Sequence, residues 1–269
     1  MLEMLSYDFM QNALLAAILV SIATGFIGTF IVVNRMVFLA GGIAHSAYGG
    51  VGMAIYFGIP VLLGAGLFAV AAGLLMAWLT FDKARRPDTV IGVIWALGMA
   101  IGIIFIDLTP GYNVDLMSYL FGSILAVPGE DLFFMVVLDI LIVTLTLLFY
   151  KSFLAISYDA EFAGLRGVPV KFFYFLLLCL AALTVVIAIR VVGLIMVIAL
   201  LTIPTYLAER LSRSLLSMMI VASLLAALFS IGGLLLSYYY DITSGAAIIV
   251  VAAAAFFLFV AFNRLRGKA

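Results

Sequence analysis

The chain has 269 residues, 68% of them hydrophobic and 10% charged, and its 13 basic and 13 acidic side chains cancel to a net charge of zero. A mean hydropathy of +1.38 excludes a soluble globular domain, and no polar stretch is long enough for a second one. Residues 1–269 therefore read as a single transmembrane domain, with no nucleic-acid partner expected.

A helical crossing needs roughly 20 apolar residues. Runs of that kind fall at about 9–33, 38–57, 60–80, 90–107, 130–150, 170–189, 191–208, 214–239 and 243–263. They predict an all-α polytopic membrane protein with about nine transmembrane helices, or eight, because little more than Arg190 separates the sixth run from the seventh. The start carries Glu3 and Asp8 and no basic residue up to Gln11, the wrong flank for a cleaved signal peptide, so the first run is expected to stay.

The second run holds the only histidine, His45. On a helix its face collects Gly41, Gly42, Gly49 and Gly52. An imidazole near mid-membrane is costly unless it faces protein or a water-filled path, and glycines let another helix or a solute come close. His45 reads as a polar spot on a transport route.

Between the fourth and fifth runs, Leu108-Thr109-Pro110-Gly111-Tyr112 is a turn signal, and residues 117–126 are too few to span. A short re-entrant half-helix on the outer side is predicted there. The fifth run contains Asp139. A carboxylate at that depth is by default a functional candidate, here for ion passage, with Arg190 as a pairing candidate; the other reading is a hydrogen bond to a neighbouring helix.

Residues 151–171 form the longest polar inner connection. Within it Ser157 or Asp159 can cap a short helix of about 157–168, Glu161 suits its first turn, and Gly167 before Pro169 ends it. Three turns are predicted, exposing Ala160, Phe162, Ala163 and Leu165. Such a capped element suits insertion into a groove on a soluble partner. Further on, Pro204 removes a backbone donor from the seventh run and is a hinge candidate.

Charge orients the whole. With the N-terminus outside, Arg35, Lys83, Arg85, Arg86, Lys151, Arg166, Lys171, Arg210, Arg213, Arg264, Arg266 and Lys268 all lie inside, and Arg190 alone does not. Glu3, Asp8, Asp107, Asp115, Glu130, Asp131 and Asp241 lie outside. The positive-inside rule thus predicts a multi-pass plasma or inner membrane protein with a cytoplasmic C-terminus.

Several stretches together resemble one family, the membrane permease subunit of ATP-driven importers for zinc, manganese or iron. They are Gly41-Gly42-Ile43-Ala44-His45-Ser46; Ser157 to Gly167 with Asp159, Glu161 and Ala163; and Val192 to Pro204. Tyr119-Leu120-Phe121-Gly122 and Asp241 to Ala246 match the family's outer segments. The resemblance runs almost end to end. It implies a homodimeric permease with cytoplasmic ATP-binding subunits, an extracytoplasmic metal-binding protein, and a coupling helix at 157–167 that receives the ATPase motion. ATP would be held by the partner and no cofactor by this chain. The resemblance also implies His45 as a transient ligand on the metal's pathway, with one departure: many members carry Asp four residues before the histidine, and here that position is Gly41, so the carboxylate of a two-ligand site is missing.

Other chemistries are excluded. The chain has no Gly-x-x-x-x-Gly-Lys-Ser/Thr phosphate loop, no His-Glu-x-x-His, and only one cysteine, Cys179, so it is neither its own nucleotide motor nor a zinc protease, and holds no intrachain disulfide. The alternative function is a proton- or sodium-coupled secondary transporter using Asp139 and His45, which would have no use for a groove-docking helix.

Overall fold

In a polytopic chain of this hydropathy, hydrocarbon offers no partner to backbone N–H and C=O groups, so each crossing must satisfy them within itself, as a helix. The computed structural model describes residues 6–81, 87–110 and 120–265, and in them all regular structure is helical. The elements are α1 (Asp8–Val33), α2 (Val37–Phe57), α3 (Val61–Thr80), α4 (Pro87–Asp107), α5 (Gly129–Leu148), α6 (Tyr150–Tyr158), α7 (Ala160–Leu165), α8 (Val170–Val192), α9 (Val197–Leu211), α10 (Leu215–Tyr240) and α11 (Ser244–Leu265), with a 3-10 turn at Ile124–Ala126. Proline marks several starts: Pro87 opens α4, and Pro60, Pro128 and Pro169 immediately precede α3, α5 and α8, where a missing N–H costs nothing.

Among the described residues eight helices are long and apolar enough to cross a membrane: α1 to α5, α8, α10 and α11. The seventh run of the sequence became the shorter α9. Gly193, at φ +78, stops α8, and Gly193 to Met196 are spent on a turn. The 15 residues of α9 rise about 22 Å, less than the roughly 30 Å of a hydrocarbon core. It still runs the length of the bundle. Ile195, just before it, donates its N–H to the Leu120 carbonyl (3.2 Å) beside the end of α8. Glu209 and Ser212, at its other end, border the same cavity as Val33 and Ser157. Among the described residues, then, eight helices are long enough to cross, and α9 is a shorter one set between α8 and α10.

One end of the bundle, the acidic end, carries Asp8, Asp107, Asp131 and Asp241; the other, the basic end, carries Arg35, Lys151, Arg166, Arg210 and Arg264. Lys83, Arg85, Arg86, Asp115, Arg266 and Lys268 lie outside the described residues, as do Tyr119 and the first residues of the expected half-helix. From Leu120 onward the chain turns at Gly122 (φ +73) into the 3-10 turn. That turn is tied down: the Ile124 N–H donates to Ser244 Oγ (3.0 Å) at the start of α11.

Two sets of contacts organise the interior. α1 packs on α10, α8, α5 and α9, while α2 packs on α4 and α3. Small residues set these distances, since van der Waals fit rather than water exclusion drives association in lipid. A Cβ on Gly25 would strike the Ser223 backbone of α10, and one on Gly28 would lie 2.6 Å from the Leu201 carbonyl oxygen of α9.

Candidate functional site

His45 lies in the middle of α2, with 8% of its surface exposed. Its imidazole stacks on the indole of Trp95 from α4, with centroids 4.0 Å apart and planes 8° from parallel. Trp95 in turn donates its indole N–H to the Met99 sulfur (3.1 Å) one turn on. The stack fixes the ring plane and leaves only the imidazole edge for polar contact. Nδ1 is buried and has no hydrogen-bond partner.

The glycines of this face are occupied by other helices. A Cβ on Gly49 would lie 2.8 Å from the Gly98 carbonyl oxygen, and one on Gly52 would strike the Gly102 backbone. Gly42 faces Ile91 and Met76, and Gly41 faces the Ile198 side chain of α9. Ser46 closes the crossing: its hydroxyl lies 2.6 Å from the Gly42 carbonyl and 3.4 Å from that of Ile94. The four positions therefore bring α3, α4 and α9 against α2, and His45 sits where they converge. Among the described residues no group of three or more His, Cys, Asp or Glu side chains could hold a metal ion. A single imidazole with a spare nitrogen gives a weak and exchangeable ligand.

At the basic end the loop after α5 folds into a rigid elbow. Phe153 of α6 is buried between the rings of Phe30 (5.2 Å) and Phe173 (5.5 Å). Ser157 is the last-but-one residue of α6, and its hydroxyl accepts from Asn34 Nδ2 (2.9 Å) at the end of α1. The cap of the next helix is Asp159: it is extended (φ −155), and its Oδ1 accepts from the Phe162 N–H (2.9 Å). Gly167 (φ +83) and Pro169 end it, with the Val168 N–H returning to the Ala163 carbonyl (3.0 Å). α7 has 6 residues, under two turns rather than three, because α6 takes up Ser157 and Tyr158.

Glu161 stands in the first turn of α7. The exposed set is narrower than the sequence suggested. Phe162 and Leu165 are 55% and 87% exposed, but Ala163 is buried at 1%. The helix is too short to bare a whole face: the side that seats it on the bundle must take Ala163. The Arg166 guanidinium covers the Phe162 ring at 5.3 Å.

Asp139 is the eleventh residue of α5, 4% exposed, and neither carboxylate oxygen has a hydrogen-bond partner. The suggested pairing with Arg190 is not made. Arg190, in the last turn of α8, forms its ion pair with Asp131 in the first turn of α5, because both stand at the acidic end, whereas Asp139 is about 12 Å further down its helix. Asp139 and His45 are not brought together either: α5 and α2 both pack on α8 but not closely on each other. Pro204 is buried inside α9 and leaves the Leu200 carbonyl without its helical N–H.

Sequence reasoning missed Trp95, and it placed Asp131 outside without seeing it as the partner of Arg190. Trp95, Met99, Gly98 and Gly102 share helical spacing on α4, and the match of two small residues there to Gly49 and Gly52 on α2 was the available signal for that crossing.

A model of the ABC 3 transport family matches residues 6–263. An uncharacterized membrane protein of Synechocystis sp. is 53% identical over 229 residues, 85% of this chain and 82% of the relative. The manganese transport system membrane protein MntC of Listeria monocytogenes is 34% identical over 228 residues, 85% and 81% of the two chains. Among solved structures, PsaBC from Streptococcus pneumoniae in complex with Fab superposes with a TM-score of 0.87 at 32% identity, covering 96% of this chain and 93% of that one.

Proposed function

Because the chain belongs to the ABC 3 transport family, we propose that it is the permease of an ATP-driven importer that passes a divalent metal ion, manganese, zinc or iron, into the cytoplasm. Two copies would form the pathway, an extracytoplasmic binding protein would deliver the ion at the acidic end, and ATP-binding subunits would dock at the basic end. The basic end then faces the cytoplasm, as the positive-inside rule demands.

The elbow is the observation that carries this reading. Phe162 and Leu165 stand out from a helix whose base is bolted to α1 and α8 through Asn34, Ser157 and the Phe30–Phe153–Phe173 stack. An exposed apolar knob on a rigid mount transmits force from whatever grips it, and Ser157, Asp159 and Gly167 hold its two ends. His45 would be the ligand the ion touches in transit, with Gly41, Gly42 and Gly49 setting helix distances around it and Pro204 giving α9 a point of compliance. The relatives named for manganese transport support the choice of a divalent metal.

Vesicles holding this chain with its partner ATPase and binding protein should take up at least one of Mn²⁺, Zn²⁺ or Fe²⁺ only when ATP is supplied. Uptake driven by a proton or sodium gradient with the ATPase omitted would overturn the proposal and favour a secondary transporter.

A further inference from the structure

At the basic end α9 and α11 touch through the rings of Tyr206 and Phe256, 5.3 Å between centroids. Beyond that contact lies an open cavity of about 530 Å³, well within the range of small-ligand sites. Leu211, Phe259 and Val260 supply apolar wall; Arg210, Asn263 and Arg264 supply its polar part. Arg210 lies over the Tyr206 ring at 5.8 Å. Among the described residues neither Arg210 nor Arg264 pairs with a carboxylate.

Each arginine stands in the last turn of its helix, where a cation complements the helix dipole. That accounts for one charge at each end but not for a cavity between them. The depth is informative. Leu211, which lines the cavity, and Leu258 and Leu265, next in sequence to Phe259 and Arg264, are 60%, 72% and 88% exposed, as suits contact with acyl chains, while the guanidiniums stand at the ends of their apolar helices. A ligand filling this space needs an apolar part and a negative head at one fixed depth.

We propose that the cavity between α9 and α11 binds the headgroup of an anionic phospholipid, with Arg210 and Arg264 clamping its phosphate and the acyl chains lying along Phe259 and Val260. Guanidiniums grip phosphate oxygens in paired hydrogen bonds, and basic pockets between membrane helices hold anionic headgroups in this way. Phosphatidylcholine, whose own cation offsets its phosphate, should bind less well. The site is independent of what the chain transports.

The test uses the full chain in phosphatidylcholine vesicles containing spin-labelled phosphatidylglycerol or spin-labelled phosphatidylcholine, and measures the immobilised lipid fraction. The unmodified chain should prefer phosphatidylglycerol. Arg210→Gln and Arg264→Gln should each weaken that association about fivefold, and Arg210→Lys should keep most of it. Arg213→Gln, which removes equal charge outside this cavity, should change little. Millimolar inorganic phosphate should not displace the lipid. No preference in the unmodified chain, an equal loss in Arg213→Gln, or displacement by free phosphate would each overturn the proposal, the last by making it a plain anion site.

Discussion

Gly122 and Gly193 meet backbone to backbone at the acidic end, both in the left-handed region (φ +73 and +78), so close that a Cβ on either would enter the other's main chain. The contact joins the turn after Leu120 to the break between α8 and α9. Gly245 of α11 completes it, since a Cβ there would lie 2.7 Å from the Val192 carbonyl oxygen.

Gly122→Ala and Gly193→Ala should therefore destabilise the protein by more than the positive-φ penalty alone, which is about 1–3 kcal/mol. Gly58→Ala is the control, because Gly58 is also left-handed (φ +66) but a Cβ added there would have nothing within 4 Å. Thermal unfolding of the detergent-solubilised chain should rank Gly58→Ala mildest. Equal losses at all three positions would mean that the backbone contact contributes nothing.

This contact also shows where sequence reasoning stops. The long spans were legible because hydrocarbon permits one solution for 20 apolar residues. The length of α9 was not: Val192 to Leu201 is apolar throughout, and only the non-local fit of Gly193 to Gly122 breaks the helix there. At the candidate site His45 was conspicuous as the lone histidine, but Trp95 was overlooked, since stacking depends on a crossing between α2 and α4 whose one trace in the sequence is the matched spacing of Gly98 and Gly102 to Gly49 and Gly52. Ala163 went the same way. In a helix of under two turns, burial is decided by how the elbow sits and not by periodicity.

Asp139 puts an unpartnered carboxyl inside α5, an arrangement that costs about 1–3 kcal/mol relative to an apolar group of the same shape. Asp139→Leu should raise thermal stability, and Asp139→Asn should change it less, because the amide is still buried. Metal uptake should survive in Asp139→Asn, because α5 does not pack closely on α2. Loss of uptake in a stable Asp139→Asn protein would put the carboxyl on the ion's route.

The elbow separates folding from docking. Leu165→Asp places a charge on a side chain that is 87% exposed, so the permease should fold with its stability unchanged within about 0.5 kcal/mol. Its ATPase partner should lose the response to binding protein, because a charge would enter an apolar groove. Ala163→Arg, at a buried position, should instead unseat α7 and lower thermal stability. Normal coupled ATPase activity in Leu165→Asp would remove α7 from the docking surface.

The last prediction concerns His45. Its ring is held flat by Trp95, so the nitrogen lone pair available to a cation lies at the ring edge, and Nδ1 is already buried without a partner. One nitrogen cannot hold a divalent ion tightly, which suits passage, since a tight site retains what it should release. His45→Ala should lower metal uptake at least tenfold. The lost stack should cost only about 0.5–1.5 kcal/mol of stability, leaving assembly intact. Gly41→Asp would set a carboxylate one turn away on the same face, where the only neighbour within 4 Å is the flexible end of Ile198; with Ile198→Ala to make room, metal should bind more tightly and leave more slowly. Gly49→Leu decides nothing, because it strikes Phe68 and the Gly98 carbonyl whether or not metal passes. Uptake by vesicles holding matched amounts of His45→Ala and unmodified protein is the deciding measurement, and full uptake would make His45 a packing partner of Trp95 and no more.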